Sequence, residues 1–494
     1  MILKQAILKG KWQLQVPKSP RFVLEFSFFE KQLSFVLFNE VAIIQSFCSC
    51  LFLLPSRESY MRNVKMFLCA ATLTCFAAGC SDSDSNTDSA QMPGVVDVQM
   101  NEIALTEADV PTIAPTESQK WGNNLNAFGA DFMHEMNTDS SFVYSPFSLH
   151  TALSMAASGA KGTTLIEMAS VLHVSSNVDD IASDNGAMSI KLRYDGQNEN
   201  SKFDIANRIW VDQTADVVPA FKQRMNDKFK APVQIVDFIN HSADVVGVIN
   251  QWVSNITHGL IPQLLNVESA NPDTRMILVN AIYFNGKWAH EFEKEATRDE
   301  DFYVKGTETT KLPMMHQTAH VQYYENDTYQ AIILPYKEDK FSMVVMLPLE
   351  KDKLPVFMDS FDENVISHIV SESRSEETVI SLPKFKIETK VDNAVDILKT
   401  LGMKLAFANF DADFSQMITS QSGHNIYISK VNQKAVIDVF EEGTEAAAAT
   451  AIGMDDEAAS IPEYKYFKAD HPFAFAIIHN ESQGIMFAGQ YVGE

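Results

Sequence analysis

The sequence predicts an α+β fold. Three observations carry this: helix-period apolar patterns come first, strand-like runs of Val, Ile and Phe follow, and no Pro/Gly/Ser linker divides the two. Asn123–Met136 has apolar residues at helical spacing. Ser148–Leu172 holds two further helix-like stretches broken near Gly159 and Gly162, and Asn250–Leu265 is again helical. Beyond these, Met276–Phe284, Gln330–Leu334, Phe341–Leu347, Val379–Ile387, Asn425–Val439 and Phe473–Phe487 read as strands. Hydrophobic content stays globular from Trp121 onward, so residues 121–494 are expected to form one domain of about 370 residues.

The N-terminal region does not read as part of that domain. From Met61 the chain runs Met-Arg-Asn-Val-Lys, then Met66 to Gly79 without a charge, then Cys80. A positive start, a short apolar run and small residues before a cysteine are the order of an export signal, and the run is too short to span a membrane. Phe76-Ala-Ala-Gly-Cys80 resembles a bacterial lipoprotein signal. The resemblance implies a signal peptide at 61–79, lipidation of Cys80, and an exported outer-membrane or cell-surface lipoprotein whose domain is extracellular or periplasmic. Residues 1–60 would bury such a signal inside the chain and are read as an untranslated or mis-assigned extension. Residues 80–120 are acidic and polar without a hydrophobic period, as expected of a disordered tether with a reach of roughly 35 Å.

All five cysteines lie at or before residue 80, so residues 81–494 contain no thiol. That excludes a disulfide framework, a Cys nucleophile and a thiolate metal site from the folded part. Residues 1–80 carry nine Lys plus Arg against four Asp plus Glu; with −25 for the whole chain, −30 falls on residues 81–494. A surface of that sign repels nucleic acid and anionic lipid. Membrane contact is expected only through the lipid anchor. There is no Gly-x-Ser-x-Gly elbow, His-Glu-x-x-His, Walker loop or dinucleotide fingerprint. His134-Glu135 lacks the second His at the required spacing, and the twelve histidines are scattered. A hydrolase is therefore disfavoured, and no cofactor or metal is expected.

Several long motifs occur in order. They are Phe142-Val-Tyr-Ser-Pro-Phe-Ser148 with Gly159-Ala-Lys-Gly-Thr163, Asn250-Gln-Trp-Val253 with Thr257, and Val279-Asn-Ala-Ile-Tyr-Phe-Asn-Gly-Lys-Trp288. Leu334-Pro-Tyr336, Met343-Val-Val-Met-Leu-Pro348 and Leu382-Pro-Lys-Phe385 follow, then Asp413-Phe-Ser415, Glu441-Glu-Gly-Thr-Glu-Ala-Ala-Ala-Ala-Thr450 and Asp470-His-Pro-Phe473. From about Asn123 to its end the chain resembles a serpin. The resemblance implies three β-sheets, about nine helices and an exposed reactive loop. It also implies a monomer whose partner is a target serine protease. That protease cleaves the loop, forms a covalent acyl complex and is trapped when the freed segment enters the large sheet. A distorted protease cannot deacylate, since losing one oxyanion contact alone slows it on the order of 100-fold to 1000-fold. The alternative within the family is a non-inhibitory binding or carrier protein, whose hinge tends to carry charged or bulky residues.

The hinge here, Glu441, Gly443, Thr444, Glu445, Ala446, Ala447, Ala448, Ala449 and Thr450, is built from small residues. No proline occurs from Glu441 to Ile461, as a future central strand requires. Alternation places Thr444, Ala446, Ala448, Thr450, Ile452 and Met454 on a face that can be buried. The other set, from Glu445 to Asp455, can face solvent. Counting from Gly443 at the family's usual interval puts the reactive bond at Glu457-Ala458, with Ala459-Ser460 and Met454-Asp455 as alternatives. No Lys or Arg lies between Ala435 and Tyr464, so a trypsin-like pocket, whose buried Asp needs a basic partner, is not served. Small or acidic bait points instead to elastase-like or Glu-specific enzymes, elastase-like preferred. The resemblance further places Ser145, Ser148, Asn280, Trp288 and Gln433 at the shutter and breach of the large sheet. Gln433 stands where many serpins carry a His. It can bridge Ser145 and Asn280 but cannot titrate.

Overall fold

The computed structural model describes residues 93–493, apart from 101–102, 137–138, 305–307, 420–425 and 444–463, and three short strands nearer the N-terminus. Those strands, β1 (Gln13–Gln15), β2 (Val23–Phe28) and β3 (Lys31–Val36), form a small antiparallel sheet in a unit spanning Met1–Asp88. Ser89–Glu494 is a second unit. The signal proposed at 61–79 and Cys80 lie outside the described residues.

The described residues of the second unit contain nine α-helices. They are α1 (Pro115–Met136), α2 (Pro146–Ala157), α3 (Gly162–Val171), α4 (Val178–Asp195), α5 (Pro219–Arg224), α6 (Phe238–Ile256), α7 (Leu354–Asp359), α8 (Val365–Glu372) and α9 (Ala394–Thr400). The Ser145 hydroxyl caps α2 by accepting from the Ser148 amide, with Pro146 at the first helical position, where its missing N–H costs nothing. Every residue of α2 is buried. Its small Ser and Ala residues suit a helix surrounded on all sides.

Sheet A has the strand order β15-β17-β9-β6-β8-β4. These are β4 (Val95–Asp97), β6 (Ser201–Asp212), β8 (Gln234–Val236), β9 (Met276–Gly286), β15 (Phe385–Val391) and β17 (Val431–Val439). Sheets B and C share the long strand β11 (Glu308–Glu325). In sheet C it pairs with β10 (Arg298–Val304) and β14 (Arg374–Pro383), and β14 pairs with β18 (Lys465–Lys468). In sheet B its last residues pair with β12 (Tyr329–Pro335), followed by β13 (Phe341–Pro348), β19 (Phe473–His479), β20 (Ile485–Tyr491) and β5 (Phe142–Tyr144). Two-residue strands β7 (Asp216–Val217) and β16 (Ile418–Thr419) pair separately. The α+β class and the three sheets are as expected.

Several boundaries differ from the sequence reading. The helix expected over Asn250–Leu265 begins earlier, at Phe238, and stops at Ile256, because His258 and Gly259 take left-handed φ values of 51° and 84°. Val379–Ile387 is two strands broken at Lys384, where the chain passes from sheet C to sheet A. Phe473–Phe487 is a hairpin, and the strand expected from Asn425 begins at Val431. The tether expected to reach Lys120 is too long. β4 and the first turns of α1 fall within it, and Val95, Val98 and Met100 pack against α6 and sheet A.

Candidate functional site: the hinge and shutter of sheet A

Within sheet A, β17 and β9 run parallel and pair from Val431↔Leu278 to Ala435↔Ile282. The pairing stops there, although β17 continues to Val439 and β9 to Gly286. The chain then reverses in a tight turn. Phe440 and Gly443 exchange both backbone hydrogen bonds at 3.1 Å, and Gly443 also bridges Lys287 in the antiparallel sense. Gly443 thus stands between the lines of β17 and β9, heading back down the sheet.

Only glycine fits there. Its φ is +138°, and a Cβ would lie 2.2 Å from the Gly286 carbonyl oxygen and 2.6 Å from the Lys287 Cα. The turn is pinned to the segment after β9: the Trp288 amide donates to the Glu442 carbonyl at 3.1 Å, the Trp288 indole N–H to the Phe440 carbonyl at 2.9 Å, and the Phe292 amide to the Glu441 carbonyl at 2.8 Å. Trp288 is buried and stacks on Tyr336, with ring centroids 4.5 Å apart.

Two ion pairs hold the same turn. The Glu441 carboxylate accepts from Thr297 Oγ1 at 2.8 Å and pairs with Lys384 Nζ at 2.8 Å, and Glu442 pairs with Lys294. Burial alone raises the Glu441 carboxyl; hydrogen bonds from Lys384, its own backbone and Thr297 outweigh this and hold it below the ordinary carboxylate value. Lys294 is held above its ordinary value, chiefly by its hydrogen bond to Glu442.

Below the open end, a buried polar network crosses the β17–β9 seam. Gln433 Nε2 donates to the Ser145 carbonyl at 2.8 Å and to Asn280 Oδ1 at 2.9 Å, while Gln433 Oε1 accepts from the Ser145 amide at 3.1 Å. Asn280 Nδ2 donates to Ser148 Oγ at 2.7 Å and to Asn207 Oδ1 at 2.9 Å, and Ser148 Oγ donates to Asn207 Oδ1 at 3.0 Å. Ser145 Oγ donates to the Met486 carbonyl of β20 at 2.6 Å. Strands β17, β9 and β6, the start of α2 and sheet B are therefore joined by one set of bonds. A network so buried is worth most when every member is satisfied.

The structure thus brings Ser145, Ser148, Asn280 and Gln433 together, and sets Glu441, Gly443 and Trp288 around the hinge turn. Thr444, Glu445, Ala446, Ala447, Ala448, Ala449 and Thr450, and the candidate bonds at Glu457-Ala458, Ala459-Ser460 and Met454-Asp455, lie outside the described residues. Sequence reasoning missed Asn207, which only the register Asn207↔Asn280 brings into the network, and the clamps Lys384 and Thr297. No group of three His, Cys, Asp or Glu residues placed for a metal occurs among the described residues.

Comparison with known proteins shows the family. The family model for serpins, serine protease inhibitors, matches residues 123–493. An uncharacterized serpin-like protein of Thermococcus kodakarensis is 33% identical over 427 residues, covering 86% of this chain and 97% of its own. Leukocyte elastase inhibitor A of Rattus norvegicus is 33% identical, covering 74% and 96%. Among solved structures, the thermophilic serpin tengpin in its native state matches with a TM-score of 0.69 at 28% identity, over 80% of this chain and 98% of that one. Because the family model spans the fold described above from within α1 through β20, the chain belongs to the serpins, a family of protease inhibitors.

Proposed function

We propose that this protein is an irreversible inhibitor of serine proteases that works by taking its own cleaved loop into sheet A between β17 and β9. The observation that carries this is the double bridge of Gly443, to Phe440 on one side and Lys287 on the other, antiparallel to both. It is the first rung of a returning strand. A strand continuing from it would replace a parallel seam by two antiparallel ladders, which are slightly more stable per residue.

The register supports the reading. Counted along β17 from the Phe440–Gly443 bridge, Thr450 falls opposite Gln433; counted along β9 from the Lys287–Gly443 bridge, it falls opposite Asn280. Gln433 and Asn280 already face each other across the seam, so the two counts agree. On this register Thr444, Ala446, Ala448, Thr450 and Ile452 take the core-facing side, and the Thr450 hydroxyl arrives where the entering strand breaks the Gln433–Asn280 hydrogen bond. The alternate residues do not all reach water: Ala449, Ala451 and Gly453 fall opposite Ala281, Val279 and Ile277, which pack in the cluster formed with α6. Both faces of the strand must therefore be small, which is what the alanine run provides.

The absence of Lys and Arg from Ala435 to Tyr464 favours an elastase-like target over a trypsin-like one; the counted bond Glu457-Ala458 suits a Glu-specific enzyme, and the alternative Ala459-Ser460 an elastase-like one. The signal-like stretch before Cys80 favours action at a bacterial surface, on a lipid anchor. Incubation with elastase, a Glu-specific protease and trypsin tests the whole reading. Elastase is expected to yield a complex that survives SDS, and the mass of the released C-terminal peptide identifies the bond. Complete cleavage without any stable complex would overturn inhibition.

A further inference from the structure

The segment ahead of α1 is built into the edge of sheet A. Val95 pairs with Val236 and Asp97 with Ile235, so β4 covers the outer edge of β8. The Asp237 amide donates to the Gly94 carbonyl at 2.9 Å, and the Gln99 amide to Gln234 Oε1 at 2.6 Å. Gly94 has φ +81° and touches α6 so closely that a Cβ would lie 2.7 Å from Val245 Cγ2 and 2.9 Å from His241 Cβ. From β6, the buried guanidinium of Arg208 donates to the Gln99 carbonyl and stacks 4.6 Å over the Trp252 ring of α6. Farther along, Arg193 of α4 donates to the Ile103 carbonyl at 3.3 Å, and Lys230 pairs with Asp109 at 3.1 Å.

We propose that residues 94–100 and 103–110 form a strap that sets the barrier to opening of sheet A, with Arg208 as its buried clasp; the proposal rests on the loop-insertion reading above. A strand entering between β17 and β9 must widen the sheet by about 4.8 Å. Strands β9, β6 and β8 and helix α6, joined by one apolar cluster, then move away from β17. That cluster reaches across the seam to Val436 of β17, so the motion shears it. The strap ties β8 and the start of α6 to α4 and Lys230. Helix α4 packs on α1 and α2, and α2 rests on β20 of sheet B. One continuous segment therefore links the part of the sheet that must move to the part that must stay. While it is seated, Arg208 holds the strap to β6 and α6, and sheet opening must strain the strap's other bonds, from Arg193 to the Ile103 carbonyl and from Lys230 to Asp109.

The strap is tested by the rate at which the intact protein takes up a synthetic peptide copying residues 444–455. Two variants loosen it. Gly94→Leu forces a side chain against Val245 and His241, and Gln99→Pro removes the amide that bonds Gln234 while leaving an exposed extended segment. Both are expected to take up the peptide about tenfold faster than the parent. Their peptide-loaded forms should melt at the parent's temperature, and hydrogen exchange should show the strap amides released. An unchanged uptake rate in a variant whose strap amides exchange freely overturns the strap, even if covalent complexes with elastase still form. If the parent itself takes up no peptide, the insertion reading and the strap fall together.

Discussion

Glu441 is the residue on which the hinge is clamped. Its carboxyl is depressed by Lys384 and Thr297, so the stabilisation it gives is fully present above the ordinary value of 4.5 and is lost as pH falls through the lower folded value. Glu441→Gln is expected to lower stability at pH 7 by about 1–2 kcal/mol, toward the low end for a charge-assisted bond because Lys384 is partly exposed. The gap between parent and variant should close as the pH is taken down toward 3. Thermal unfolding of both across that range measures it, and a gap that persists at low pH would assign the stabilisation to packing instead. Gln433 adds no pH dependence of its own. Its place between Ser145 and Asn280 was legible in the sequence, because the resemblance to serpins implied its neighbours and an amide can donate and accept at once. Asn207 was not legible, since its role follows from the register of β6 on β9, a long-range pairing that no local pattern encodes.

At the scale of elements, the proposed insertion makes the outcome of loop cleavage depend on the first rungs below Gly443. On the register above, Thr444 falls between Val439 and Gly286 on the core-facing side. Thr444→Arg places a charge there and is expected to turn the protein from inhibitor to substrate, read as cleaved product without complex in the elastase assay. An unchanged yield of complex would count against entry at this point. The hinge expectation rests on the resemblance to serpins together with small side chains, one glycine and no proline, and only Glu441 to Gly443 of that stretch lie among the described residues. The strap was not legible in the sequence. Val95, Val98 and Met100 do not keep a strand's period of two, and so short a segment is ordered only by the edge of β8 and the surface of α6. Helix α4 escaped notice for a related reason, its apolar residues being few and its Asn177 cap the main local signal. β11 was missed because most of its length is exposed on one side, so that it carries no continuous apolar run.

For the whole molecule, the proposed insertion implies that the native arrangement leaves sheet A one strand short of its most stable form. Cleavage within residues 454–460 should therefore raise the unfolding temperature, by about 13 °C if the inserted strand contributes on the order of 10 kcal/mol to a domain of this size. Calorimetry before and after cleavage by a protease that is not trapped would show it. An unshifted midpoint would mean that the cleaved loop stays outside.

On the proposed insertion mechanism, the β17–β9 seam also fixes the arithmetic of what the protein can accomplish. It accepts one strand, and the strand is part of the same chain. Each protease molecule removed takes one molecule of this protein with it. The protection given is thus a matter of stock and resupply, not of turnover, and a protease in molar excess passes once the stock is exhausted.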